Sequence, residues 1–270
     1  MLHYKNVKVG INGTGLLAES AQVDVSNNLI PIFSLGKKGL ITMTPNGELG
    51  GTVTFNYLVE PGNEPVNGIC KYVRENAQSS YDAYVVEVGG ISGSYFLESY
   101  SVRAAANDAV TASASFVTYY PVSGQLVAAP MNLNPRNNSG IAHAYTTTFF
   151  NGNTQITTGK IANFDCSFRA NWNPVYTLGR KEPTHVLLTS AEERYNIERE
   201  FFKNVTISGE ALSSNINIDK IKIFELSYLV NNTGNFIDFN IDNHFLRNVN
   251  VDAVLDDIVR VSFSAEKIYN

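Results

Sequence analysis

Phe96-Leu97-Glu98-Ser99-Tyr100-Ser101-Val102-Arg103-Ala104 and Phe245-Leu246-Arg247-Asn248-Val249-Asn250-Val251-Asp252-Ala253 are two versions of one pattern. The match continues without a gap: Asp108, Val110, Ser113, Ser115 and Tyr120 meet Asp257, Val259, Ser262, Ser264 and Tyr269 at a constant offset of 149. Between Tyr95 and Tyr120, nine of the 26 positions are identical to their counterparts. A second match lies upstream. Pro31-Ile32-Phe33-Ser34-Leu35-Gly36-Lys37-Lys38 lies over Pro174-Val175-Tyr176-Thr177-Leu178-Gly179-Arg180-Lys181 at an offset of 143, with four identities and four close substitutions. Just before it, Ala21–Ser26 lies over Phe164–Arg169 with apolar and polar positions in phase. The bland alternative is that any two Ser/Val-rich strands look alike. Two collinear matches in one chain favour an internal repeat. They divide the chain into halves at 1–120 and 148–270. The segment between them, 121–147, carries Gly124, Pro130, Pro135 and Asn137-Asn138-Ser139-Gly140, which is linker or long-loop chemistry.

Outward from these matches the periodicity is two. Val53-Thr54-Phe55-Asn56-Tyr57-Leu58-Val59 alternates apolar and polar, as do Val23-Asp24-Val25, Ile216-Asn217-Ile218, Ile221-Lys222-Ile223-Phe224 and Val259-Arg260-Val261-Ser262-Phe263. Such alternation presents one face of a strand inward and the other to water or a partner. Pro45-Asn46-Gly47, Gly89-Gly90 and Asn232-Thr233-Gly234-Asn235 read as turns between strands. Helix signals are few. Glu64–Asn76 is the best, with Pro65 suited to a first helical position and Val66, Ile69, Cys70 and Val73 on one face. Ser190-Ala191-Glu192-Glu193 reads as a capping box that would start a second helix, yet Tyr195, Ile197 and Phe201 also fit a strand.

Composition narrows the function. The 270 residues are 44% hydrophobic, enough for a sizeable core, but only 17% charged, against roughly 25% in an ordinary soluble domain. The net charge of −5 and the lack of a Lys/Arg cluster argue against gripping nucleic acid by phosphate neutralisation. No run of apolar residues is long enough for a transmembrane helix. Met1-Leu2-His3-Tyr4-Lys5 lacks the basic start and apolar stretch of a secretory signal. Two cysteines, Cys70 and Cys166, make neither a disulfide framework nor a four-ligand zinc site.

Catalytic signatures are missing. Val7–Ala18 contains Gly10-Ile11-Asn12-Gly13-Thr14-Gly15-Leu16-Leu17-Ala18, which imitates a dinucleotide-binding loop. That loop needs a helix beginning at the glycines to hold the pyrophosphate. Here strand-like alternation resumes at Val23, so a glycine turn between two strands is expected. The four histidines, His3, His143, His185 and His244, show no ligand spacing. Glu192-Glu193 and Asp256-Asp257 are expected to be solvated carboxylates pointing to opposite sides of a strand. Cys70 reads as a small core residue. The expectation is therefore no enzyme, no cofactor and no metal site.

Two repeated features carry more. The basic turn Gly36-Lys37-Lys38 recurs as Gly179-Arg180-Lys181, either a solubilising loop or a subunit contact used twice. The Ser/Thr/Val strands Val110–Tyr119 and Val259–Ile268 have outer faces of small polar groups with few charges. Solvated strands usually carry more Lys and Glu, partly to prevent edge pairing. A surface covered by another subunit, or facing a channel, would look like this.

The pattern resembles structural proteins of tailed bacteriophages, above all the tail-tube (major tail protein) family. The residues that carry the likeness are Phe55-Asn56-Tyr57-Leu58, Gly89-Gly90-Ile91-Ser92-Gly93, Leu97–Val102 and Asn107–Phe116, with Leu246–Val251 and Asp256–Ser264 repeating the last two. The second half lacks the Gly-Gly-Ile-Ser-Gly turn. The resemblance implies a mainly β chain of two tandem β-sandwich or barrel domains, each with at most one short helix. It also implies a virion protein, assembled in the host cytoplasm. Copies would form homo-oligomeric rings, a trimer giving pseudo-sixfold symmetry, that bind other tail proteins and conduct DNA as passing cargo. A tail adaptor, a hub ring or a capsid decoration protein fits the same pattern. A carbohydrate-binding β-sandwich adhesin, using Tyr95, Tyr119, Tyr120 and Trp172, is the alternative from another class.

Overall fold

The computed structural model describes residues 9–16, 18–33, 40–76, 81–125, 140–156, 160–202, 218–231, 233–241, 243–254 and 258–269. The chain is mainly β. The first half contributes β1 (Val9–Ile11), β2 (Thr14–Leu16), β3 (Ala18–Phe33), β4 (Leu40–Leu58), helix α1 (Pro65–Glu75), β5 (Tyr84–Val88), β6 (Ile91–Ala105), β7 (Thr111–Thr118) and β8 (Ser123–Gly124). Then come β9 (Ala142–Asn151), β10 (Thr154–Gln155), β11 (Lys160–Val175), β12 (His185–Phe202) and β13 (Lys220–Glu225). The one-turn helix α2 (Tyr228–Asn231), β14 (Phe236–Asn240), β15 (Phe245–Val254) and β16 (Ile258–Tyr269) complete the order.

One long antiparallel sheet organises these elements, in the order β3-β4-β7-β6-β11-β12-β16-β15. Its strands alternate as the sequence predicts. Phe55, Tyr57, Tyr100, Phe116, Phe164, Phe168 and Tyr195 all point to one face and are fully buried. Burying an aromatic side chain of this size contributes roughly 1.5–3 kcal/mol. Two smaller layers cover that face, making the fold sandwich-like. In the first half, residues 91–95 of β6 leave the long sheet and pair with β5, which carries β1 and β2 beyond it. Helix α1 lays Val66, Ile69, Cys70 and Val73 on the core, the stripe expected from their spacing. In the second half the layer is the sheet β10-β9-β13-β14, which buries Phe149, Ile221, Ile223, Ile237 and Phe239. Phe239 packs on Phe164 with ring centres 5.4 Å apart.

The two quoted sequence matches occupy the same places in their sheets. Pro31 pairs with Met43 on the hairpin β3–β4, and Pro174 with Val186 on β11–β12. The agreement at the other match is closer. Leu97 faces Phe116, Ser99 faces Ser115 and Val102 faces Ala112, with a bulge at Glu98. Leu246 faces Ala265, Asn248 faces Ser264 and Val251 faces Val261, with a bulge at Arg247. Each of these pairs is the other's counterpart at the offset of 149.

Some expectations are corrected. Ser190–Glu193 starts no helix; it lies inside β12, where Ala191, Glu193, Tyr195, Ile197 and Arg199 alternate inward and strand pairing on both sides overrides the capping signal. Pro45-Asn46-Gly47 does not reverse the chain. It lies within β4, where three residues oppose one of β3 between the pairs Asn27–Leu49 and Leu29–Pro45, so the turn-forming residues make a bulge. Strand β9 begins at Ala142, inside the segment read as linker. Ile216-Asn217 and Asp256-Asp257 lie outside the described residues.

Candidate assembly surface

The halves meet along a strand pair. β6 and β11 are joined by seven consecutive antiparallel pairs, from Ser99–Arg169 to Ala105–Asn163. On the core side the seam stacks Tyr100 on Phe168, Val102 on Cys166 and Ala104 on Phe164, all buried. On the other side it sets Ser101 against Ser167 and Arg103 against Asp165. Trp172 reinforces the seam by donating its indole N–H to the Leu97 carbonyl at 2.7 Å. Its ring packs on Phe96 and Tyr81.

A buried ionic cluster ties the halves together a second time. Arg74, near the end of α1, donates to Glu193 of β12 at 2.5 Å. The hydroxyls of Tyr195 and Tyr269 donate to the same carboxylate at 2.7 and 3.1 Å. His244 Nε2 lies 3.3 Å away. Burial alone would push the Glu193 carboxyl up. His244, Arg74 and Tyr195 outweigh it and hold the group at about 2. Glu193 is thus 2% exposed rather than solvated, while its neighbour Glu192 points to the opposite face and bonds Arg194. An isolated buried carboxylate would be very costly, and a full set of partners makes it tolerable. Glu64, at the start of α1, is the contrasting case. Burial raises its carboxyl to about 7, against the downward pull of the Tyr57 hydroxyl and the Asn67 and Val66 backbone.

The outer ends of the long sheet have unshared edges among the described residues: β3 pairs only with β4, and β15 only with β16. Neither edge carries the inward lysines that usually block pairing. β3 presents Ser20, Gln22, Asp24 and Ser26 on one side and Ala21, Val23 and Val25 on the other, with Val25 55% exposed.

The uncovered face of the long sheet is mostly polar, with exposed apolar side chains at Phe245 and Ile268 where β15 begins and β16 ends. β4, β7 and β6 present Thr52, Thr54, Asn56, Ser113, Ser115 and Ser101 there. Three of its arginines on the second half are matched locally, while Arg169 stands exposed beside Ser99. Arg260 pairs with Glu198 and Glu200, Arg194 with Glu192 and Glu266, and Arg247 with Glu266. Exposed pairs of this kind add little stability, but they leave less positive charge to grip a polyanion.

Gly179-Arg180-Lys181 forms the tip of the β11–β12 hairpin. Gly179 has φ +85°, a left-handed conformation suited to glycine, and the Arg180 N–H donates to the Thr177 carbonyl at 3.2 Å. The tip is solvent-exposed beside the fully exposed Leu178, and it stands beyond the last seam pair at Arg169. Gly36, Lys37 and Lys38 lie outside the described residues.

The glycine motif is a hairpin turn. Asn12 and Gly13, both at positive φ, connect β1 to β2. The Asn12 N–H donates to Val85 O, and Val85 N–H donates to Asn12 Oδ1. Strand β2, and not the helix whose N-terminus such a loop uses, follows it. The aromatics of the adhesin reading face inward: Tyr95 is buried, and Tyr119, Tyr120 and Trp172 pack against the core. A cleft of about 730 Å³ opens beside Ala104–Asn107, Tyr145, Glu200 and Arg260, and the last two pair with each other. Among the described residues no cluster of three or more His, Cys, Asp or Glu could hold a metal ion. No described helix is long and apolar enough to cross a membrane. Sequence reasoning missed Glu193; its signal was a charged residue in the inward row of an alternating strand. In comparison with known proteins, no family profile and no curated protein matches the sequence.

Proposed function

We propose that the chain is a virion structural protein whose copies join edge to edge into rings of a phage tail tube, with its polar sheet face lining a passage for DNA. The observation that carries this reading is the β6–β11 seam. Inside one chain, two similarly paired four-strand units join edge to edge, and among the described residues the order leaves one unshared edge at each end. A unit that docks on its like by one edge and presents the opposite edge is heterologous, and such contacts close into rings when the rotation permits. Three copies would then supply six such units.

The mechanism is physical. Strand pairing satisfies the backbone groups of each edge and removes the aggregation hazard of leaving it open. The wall facing the passage is rich in hydroxyls and amides, and Arg260 and Arg194 on it are paired with neighbouring carboxylates. Affinity for DNA comes from neutralising phosphates, so a wall whose cations are few and partly paired with carboxylates would hold the phosphates weakly. The basic turns Gly36-Lys37-Lys38 and Gly179-Arg180-Lys181 would act as contacts between neighbouring copies or stacked rings. No catalytic step, cofactor or membrane is required.

Electron microscopy of the purified protein tests this. Rings with threefold or pseudo-sixfold symmetry, or tubes, are expected. A dispersed monomer at high concentration, verified by light scattering, overturns the reading. Charge reversal at Lys37, Lys38, Arg180 and Lys181 together should impair assembly while leaving the unfolding transition in place. Unchanged rings after that substitution would remove those turns from the interface.

A further inference from the structure

We propose that neighbouring copies join through antiparallel pairing of β15 of one copy with β3 of the next, in the register that sets Val251 opposite Val23. The proposal rests on the ring reading above and gives its seam a definite register.

The internal seam provides the template. β11 stands to β12 as β3 stands to β4, with Pro174–Val186 repeating Pro31–Met43. β15 stands to β16 as β6 stands to β7, with the same pairs and the same bulge. The internal seam joins β6 to β11, so the equivalent external seam joins β15 to β3. Its register follows by carrying each pair across. Val102–Cys166 becomes Val251–Val23, through the offsets of 149 and 143. Arg103–Asp165 becomes Asp252–Gln22, and Ser101–Ser167 becomes Asn250–Asp24.

The chemistry of the two edges suits this register. On one side Ala21, Val23 and Val25 meet Ala253, Val251 and Val249, so apolar residues meet apolar residues. On the other side Gln22 meets Asp252, Asp24 meets Asn250 and Ser26 meets Asn248, each pair able to hydrogen bond and none of like charge. A slip of one residue would set the apolar row against the polar row. A slip of two in one direction would place Asp24 directly opposite Asp252, a like-charge pair. The exposed Val25 and the edges of both strands that are unshared among the described residues are the surfaces that the pairing would cover.

Paired cysteines test it on the full chain. Adjacent pairs in an antiparallel ladder alternate between wide and close spacing, so one of two neighbours suits a disulfide. The variants are Val23→Cys with Val251→Cys, and Asp24→Cys with Asn250→Cys. Native Cys70 and Cys166 are buried and stay out of the reaction. After mild oxidation of the assembled protein, one or both variants should shift on a non-reducing gel to two and three times the monomer mass, reversibly with reductant. Mixing copies that carry only Asp24→Cys with copies that carry only Asn250→Cys should stop at dimers, which separates contact between copies from closure within one chain. The slipped control, Asp24→Cys with Asp252→Cys, should remain monomeric on the gel. Rings seen by microscopy in which neither predicted pair links, or in which the slipped control links instead, overturn the register while leaving the ring reading intact. Absence of rings in the unsubstituted protein overturns the ring reading itself.

Discussion

Replacing Glu193 with glutamine removes the charge at the centre of the cluster that fastens α1 to β12, while keeping the side chain's size. The carboxylate accepts from Arg74 at 2.5 Å and from Tyr195 and Tyr269 at 2.7 and 3.1 Å. These contacts, with His244, hold it at about 2, against an ordinary 4.5. A difference of that size corresponds to about 3 kcal/mol of stability. Breaking a buried ion pair by removing one partner costs about 3–5 kcal/mol by an independent route, because Arg74 stays behind uncompensated. The two figures agree, and they set the expectation of a loss of about 3 kcal/mol at pH 7. The folded-state value lies below the ordinary one. The contribution is therefore fully present above pH 4.5 and disappears as pH falls toward 2. Urea unfolding at fixed protein concentration, followed by the fluorescence of the single tryptophan, Trp172, measures it. The gap between the two proteins should narrow to roughly 1.5 kcal/mol near pH 3. A gap below about 1 kcal/mol at pH 7, or one that does not change with pH, would refute the reasoning.

Glu64 should show the opposite dependence. Its carboxyl is raised to about 7 in the fold, so the protonated form is favoured and the cost of charging it grows between pH 4.5 and pH 7. Glu64→Gln should therefore raise the thermal midpoint at pH 8 more than at pH 5, by an amount equivalent to at most about 3 kcal/mol; midpoints that shift equally at the two pH values would contradict this. Burial pushes both cysteine thiols well up, and the thiolate is the reactive form. A thiol reagent should label Cys70 and Cys166 slowly in the folded protein and quickly after denaturation, and rapid native labelling would mean that the core opens.

Period-two alternation was enough to read the mainly β fold, since a half-buried strand imposes it on every residue. The stripe Val66, Ile69, Cys70 and Val73 revealed α1 for the same reason at period 3.6. The seam between β6 and β11 was not legible. Which edge meets which is decided by distant chain segments, and Phe164, Cys166 and Phe168 would suit many neighbours. Pro45-Asn46-Gly47 misled because bulges and turns use the same residues, and only the partner strand distinguishes them. Glu192-Glu193 misled because adjacent carboxylates usually mean solvent. The decisive fact, a partner arginine on α1, lies 119 residues away.

The β6–β11 seam also sets a kinetic problem. Its pairs join residues from 58 to 70 positions apart, whereas the hairpins on either side close locally and faster. A newly made chain therefore holds two half-sheets with open, similar edges before they find each other. Tethering presents the correct edge at a high effective concentration. Partners from other chains compete only as the protein becomes crowded. Refolding at high concentration should then divert chains into exchanged forms, in which the first half of one copy has taken the second half of another.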